Sequence, residues 1–190
     1  MFVKKFCFGV MLASSIFMVA NAKNLDTTKT KVTWTAYKFY DKTPVSGTFK
    51  DIKYTWSKGK EWQETLKGAK ASINALSVDL NDETKNENVR DGFFKEFKNQ
   101  NIVVVVDKVV PDSTDVNKGR LEVSIELNGI KHPSWMPYSI SGNMLSARGV
   151  VDFYDFALGN ALNKLRKTCE YMHEGKTWGE AAFKVEIPLK

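Results

Sequence analysis

Residues 120–128, Arg120-Leu121-Glu122-Val123-Ser124-Ile125-Glu126-Leu127-Asn128, alternate polar and apolar side chains without a break. Along an extended chain successive side chains point to opposite faces, so Leu121, Val123, Ile125 and Leu127 form one apolar row. A strand with one buried and one wet face belongs to an antiparallel sheet that is packed on something or closed on itself. The same pattern recurs at Val32, Trp34 and Ala36; at Val45, Gly47 and Phe49; and at Ala69, Ala71, Ile73 and Ala75. It returns at Leu145, Ala147, Gly149, Val151 and Phe153, and at Ala181, Phe183, Val185, Ile187 and Leu189. These rows mix bulky side chains with alanine and glycine. About eight strands closed into a barrel enclose an interior that side chains either fill or leave open for one ligand. Small residues on the inner rows favour an apolar cavity. From the strands its expected lining is Val32, Trp34, Ala36, Val45, Phe49, Ala71, Ile73, Val123, Ile125, Leu145, Ala147, Val151, Phe153, Phe183 and Val185.

The beginning of the chain speaks to compartment. Lys4 and Lys5 precede an apolar run from Phe6 to Ala20, and Ala20-Asn21-Ala22 offers the small residues of a cleavage site. Residues 1–22 are therefore expected to be a signal peptide cleaved after Ala22, and residues 23–190 one exported, periplasmic domain. The run is too short and too near the terminus to favour a spanning helix. No later stretch is apolar for long enough to span, so no integral membrane segment is expected after cleavage; transient contact with anionic headgroups is compatible with the charge.

The formal net charge is +6, with two of the basic residues in the leader, and the rest are interspersed with acids rather than gathered into a stripe. Nucleic acid is therefore not an expected partner. Cleavage removes Cys7 and leaves Cys169 alone, so no intrachain disulfide can form. With 43% hydrophobic residues, the chain has the material for a core that holds without one.

Between the strands, Asp41-Lys42-Thr43-Pro44 carries turn chemistry and joins the first two into a hairpin. Ile52, Tyr54 and Trp56 continue an alternation. The segment 57–64, SKGKEWQE, reads as a connection, and Trp62 suits the cover of a barrel end. From Asn81 the period changes: Val89, Phe93 and Phe97 recur every fourth residue, a helix with Asn81 or Asp82 as N-cap and Gly92 weakening it by about 1 kcal/mol. Phe93 and Phe97 join the expected lining. Core packing at a barrel end explains this stripe more simply than a ligand gate does. Ile102 to Val106 is a continuous apolar strand. Residues 128–137, NGIKHPSWMP, hold too many turn formers for a central strand. Leu158, Ala161, Leu162, Leu165, Cys169 and Met172 mark a second amphipathic helix, bounded by Asp155 and Gly175.

Little in the chain resembles a catalytic centre. Cys169 and His173 share a helix face at four-residue spacing, but a metal needs three or four ligands and the only other histidine is His132. Cys169 continues an apolar stripe and reads as a buried structural thiol. No serine lies in G-x-S-x-G and no phosphate loop is present. No metal and no catalytic residue is expected, and an enzyme using Cys169, His132 or His173 is the alternative to a binding protein. Tyr54 and Trp56 between lysines read as core or rim packing before a stacking platform.

In order along the chain stand V-x-W at Val32 to Trp34, V-x-G-x-F at Val45 to Phe49, and N-x-R-D-x-F-F at Asn88 to Phe94. L-N-G-I-K-H-P follows at Leu127 to Pro133, and G-K-T-W at Gly175 to Trp178. Together they resemble the YceI family of secreted lipid-binding proteins over nearly the whole mature domain. The resemblance implies a mainly β fold: an extended, lipocalin-like antiparallel barrel of about eight strands with about two helical insertions. It also implies a homodimer, exported to the periplasm, holding one long amphiphile such as a polyisoprenoid, an isoprenoid quinone, a fatty acid or a fatty amide. No cofactor beyond that ligand is implied. The chain departs from the family pattern around Lys38, where a histidine is common, and near Asn101, where a proline often precedes the strand. A ligand-free stress-response protein with a filled barrel is the third reading.

Overall fold

The computed structural model describes residues 23–190; the expected signal peptide, with Cys7, lies outside them. Ten strands form one sheet: β1 (Lys31–Lys38), β2 (Thr43–Phe49), β3 (Ile52–Thr55), β4 (Lys70–Asn74), β5 (Val78–Asp79), β6 (Asn101–Pro111), β7 (Lys118–Leu127), β8 (Ile130–Ser141), β9 (Met144–Asp152) and β10 (Thr177–Pro188). Their order is β3-β4-β6-β7-β8-β9-β10-β1-β2-β5, antiparallel at every pairing. The sheet curls into a half-barrel, and no ladder among the described residues joins β3 to β2 or β5. Its two ends meet through the chain itself, because only Lys50 and Asp51 separate β2 from β3. Lys50 N donates to Ser77 O at 2.9 Å and Asn74 N to Asp51 O at 3.0 Å, which pins this corner.

The expected eight strands are thus ten, and β5 and β8 account for the difference. β5 is two residues long, too short to show any period. β8 lies in the segment expected to be turns, and the reason is positional. Asn128 and Gly129, at φ 56° and 77°, make the left-handed two-residue turn that suits a hairpin between β7 and β8. β8 then pairs with β7 from Ile130 to Ser139 but with β9 only from Tyr138 to Ser141. Ile140 N donates to Asn117 O, so even-numbered amides face the β7 side. The nitrogens of Pro133 and Pro137 therefore point to the opposite side, where no partner strand lies, and no ladder bond is lost.

The helices are α1 (Trp62–Leu66), α2 (Glu83–Gly92), α3 (Gly159–Thr168) and α4 (Glu170–His173). Residues 57–64, read as a connection, contain the start of α1, which buries Trp62 edge-on against Tyr138 at 5.3 Å. The Asp82 carboxylate caps α2 by accepting from Lys85 N at 3.1 Å. This helix ends sooner than its stripe suggested. Phe93 leaves helical geometry at φ −132°, ψ −64°, and Phe94–Glu96 form a 3-10 turn, so Phe94 joins Phe93 and Phe97 in the core. A Cβ on Gly92 would stand 3.0 Å from Thr168 Oγ1, so glycine here lets α2 approach α3 closely. The second expected helix is also two: α3 stops at Thr168, and Cys169 at φ −106°, ψ 14° separates it from α4. Met172 is consequently exposed rather than part of a buried stripe.

A candidate ligand cavity

The inner rows surround an apolar cavity of about 260 Å³. Its walls differ. Leu121, Val123, Ile125 and Leu127 of β7, Met136 of β8, Leu145 and Ala147 of β9 and Ile187 of β10 are at most 5% exposed and form a close-packed floor. Across from them, Val32, Trp34 and Ala36 of β1, Val45 and Phe49 of β2, Ala71 of β4, Val151 of β9, and Ala181, Phe183 and Val185 of β10 are only half buried. These inward-facing apolar side chains, unlike those of the floor, keep part of their surface uncovered beside the cavity. Ala36 stands opposite Ala181 in the β1–β10 ladder, which opens space where two larger side chains would have met.

Every residue expected in the lining does border this cavity: those above, Ile73 of β4, and Phe93, Phe97 and Phe153 at the helical end. The phenylalanines cluster there. Phe93 lies 5.1 Å from Phe97 and 4.9 Å from Phe153, and Phe94 lies 5.7 Å from Phe49, mostly edge to face. The Trp34 indole N–H donates to Thr48 O at 3.2 Å, so its large ring faces the cavity with its polar atom satisfied. Tyr54 and Trp56 stack at 5.6 Å on the wall.

Several lining residues were missed by the sequence reading. Ile102, Val104 and Val106 of β6 border the cavity, but Val103 and Val105 between them are apolar too, so no alternation marks the inner face. Leu66, Phe94, Leu165 and Cys169 come from helices and caps. Lys38 and Thr177 were missed because both strands run further than the apolar pattern does.

Cys169 is 3% exposed and borders the cavity. Burial pushes its thiol above the ordinary value, while the charge of Lys38 works the other way. His132 packs edge-on against Phe156 at 5.1 Å and is not part of the lining, so the two do not form a nucleophile and base across the cavity. Among the described residues no three His, Cys, Asp or Glu side chains are grouped to hold a metal ion. No described helix is long and apolar enough to cross a membrane.

Fold and site together define a class: a β half-barrel whose one curled sheet wraps an apolar cavity, with a few helices packed against it. The chain belongs to the YceI family, whose model, the YceI-like domain, matches residues 24–187. Among solved structures it is similar to Burkholderia cenocepacia BcnA, with a TM-score of 0.64 at 17% identity, covering 88% of this chain and 99% of that one. It is also similar to a polyisoprenoid binding domain from Saccharophagus degradans, with a TM-score of 0.60 at 14% identity over 89% and 98%. The Campylobacter jejuni YceI protein gives a TM-score of 0.57 at 18% identity over 78% and 86%. No curated protein matches the sequence significantly.

Proposed function

We propose that this protein is a periplasmic binding or carrier protein that holds one long-chain amphiphile in its half-barrel. The observation that carries this reading is the half-buried apolar wall around Ala36 and Ala181, a surface that the protein's own side chains leave partly uncovered beside the cavity. Apolar surface of this kind favours being taken out of water, and a hydrocarbon chain can do so without disturbing the packed floor. A chain of about twenty carbons gains at most about 16 kcal/mol on transfer, at about 0.8 kcal/mol per methylene. Ordering costs on both sides reduce that, and half of it corresponds to roughly micromolar binding. The ligand is a polyisoprenoid, an isoprenoid quinone, a fatty acid or a fatty amide. One similar structure is described as a polyisoprenoid binding domain, which supports the class.

A binding role is favoured over an enzymatic one. Among the described residues the only thiol in the lining is held toward its protonated form by burial, and His132 packs against the buried Phe156 outside that lining. The open wall also speaks against a filled, ligand-free barrel. Residues 1–22 would be removed on export, and the mature protein would act as a homodimer. Native mass spectrometry of protein purified without detergent should find one lipid-sized mass per chain. Repeated absence of such a mass, together with failure to bind added C16 to C20 chains, would overturn the proposal. An N-terminus at Lys23 and a doubled mass in light scattering check the export and the dimer.

A further inference from the structure

Two neighbouring inner rows change chemistry at the same point. On β1 the inward residues run Val32, Trp34, Ala36 and then Lys38; on β10 they run Ile187, Val185, Phe183, Ala181 and, past the irregularity in the ladder, Thr177. Lys38 and Thr177 are direct partners in that ladder, and directly opposed residues share a face. Both border the cavity, beyond the last β9–β10 pair at Asp152 and Glu180. There α3 lies alongside β10, contributing Leu165 and, at its end, Cys169 to the lining.

The polar groups here are not spent on each other. Thr177 is 94% buried, given an exposure of 6%, yet its Oγ1 finds no hydrogen-bond partner among the described residues. A buried hydroxyl without a partner is costly and rare in native proteins. Its backbone carbonyl is already used: it accepts from Arg166 Nε at 3.0 Å and Nη2 at 2.8 Å, which fixes the residue and adds positive charge nearby. Lys38 forms no ion pair among the described residues, and its Nζ lies 5.0 Å from the Phe39 ring centroid. The neighbouring Lys42, by contrast, is engaged by Glu180 at 2.7 Å.

We propose that Lys38 and Thr177 form a headgroup site at this end of the cavity for an anionic oxygen acid, a carboxylate or phosphate carried by the bound chain. The Thr177 hydroxyl donates to one oxygen and the Lys38 ammonium balances the charge. Hydrogen bonds to charged groups are the stronger kind, and the unspent donor and cation meet both demands of such a head. A neutral alcohol or amide could satisfy Thr177 but would leave Lys38 without a counter-charge. The site deepens the reading above and rests on the cavity holding a chain.

The test compares oleate with oleyl alcohol, which share a chain and differ in the head, by calorimetry on the mature domain. Oleate should bind the wild type about tenfold more tightly, equivalent to about 1.4 kcal/mol. In Lys38→Met and in Thr177→Val that ratio should fall to within about twofold of one, while Lys38→Arg keeps most of it. Thr177→Val retains the branched shape and removes only the unpartnered hydroxyl, so its ligand-free melting temperature should not fall. Farnesyl phosphate against farnesol repeats the comparison for the other acid. Equal binding of charged and neutral chains by the wild type would overturn the head site alone. So would a ratio that survives both Lys38→Met and Thr177→Val. Failure of all four ligands to bind would overturn the chain-binding reading and the head site with it. Competition by millimolar inorganic phosphate would reassign the residues to a free anion.

Discussion

Replacing one alanine by tryptophan on each wall should separate the cavity from the core. Ala181 borders the cavity on the half-exposed side, opposite Ala36, whereas Ala147 has 0% exposure and sits between Val185 on β10 and Tyr138 on β8. An indole at 181 enters space that is already void in the ligand-free protein. It displaces about four methylenes of a bound chain, a loss of about 3 kcal/mol at 0.8 kcal/mol each, or about two hundredfold in affinity. Folding should be tolerated. At 147, on the close-packed floor with no exposed surface, the same ring must displace its neighbours, and overpacking should lower stability by about 1 to 3 kcal/mol or more. The assay pairs urea unfolding of stripped protein with titration of a fluorescent C16 fatty acid. Ala181→Trp binding as well as wild type would show that the chain does not run past β1 and β10. Ala147→Trp without any loss of stability would show that the floor is not packed.

Gly149→Ala should weaken chain binding with a modest loss of stability, because the new Cβ would stand 2.5 Å from Phe183 Cζ and drive that ring toward the cavity; a crystal structure with Phe183 unmoved would refute this. Cys169→Ala should cost about 1 to 2 kcal/mol in denaturant unfolding as a small void opens, with lipid still retained on purification. Acid should loosen the corner around α2. Asp79, which accepts from Asn81 N, and Asp82, which accepts from Lys85 N, are both held below the usual 3.8. Their contribution is complete above the unfolded-state value and is lost as pH falls through the lower folded value, so melting temperature should drop below about pH 4 and less so in Asp82→Asn.

How much of this was legible beforehand depends on what each strand faces. β7, β9 and β10 meet water on one side and the interior on the other, so Leu121 to Leu127 and Ala181 to Leu189 declared their inner rows. β6 did not, because its outer positions Val103 and Val105 are apolar, where the equally half-buried outer positions of β10 include Lys184 and Glu186. β8 was hidden by prolines whose harmlessness depends on which edge they face, a property of the register and not of composition. The head end was hidden for another reason. Lys38 and Thr177 interrupt an apolar pattern, and in a sequence that interruption reads as the end of a strand. Only the ladder shows that both strands continue and place the two residues opposite each other. The phenylalanines were found for partly the wrong reason: one helical stripe was expected, and a cap with a 3-10 turn brings them together instead.

The β1–β10 ladder joins Lys31 to Glu186, nearly the full length of the described chain. The first strand has no neighbour on that side until the last one has been made. Such distant pairings must meet the entropy of closing a very long loop before any contact rewards it, and proteins rich in them fold in milliseconds to seconds rather than microseconds. The oily interior is therefore assembled last. A nascent or translocating chain would carry Trp34, Phe49 and the β6 valines without a roof until β10 arrives, and a chain cut before Thr177 would lose the strand that bridges β9 to β1. Loss of about a dozen C-terminal residues should accordingly yield aggregating protein rather than a smaller, leakier barrel.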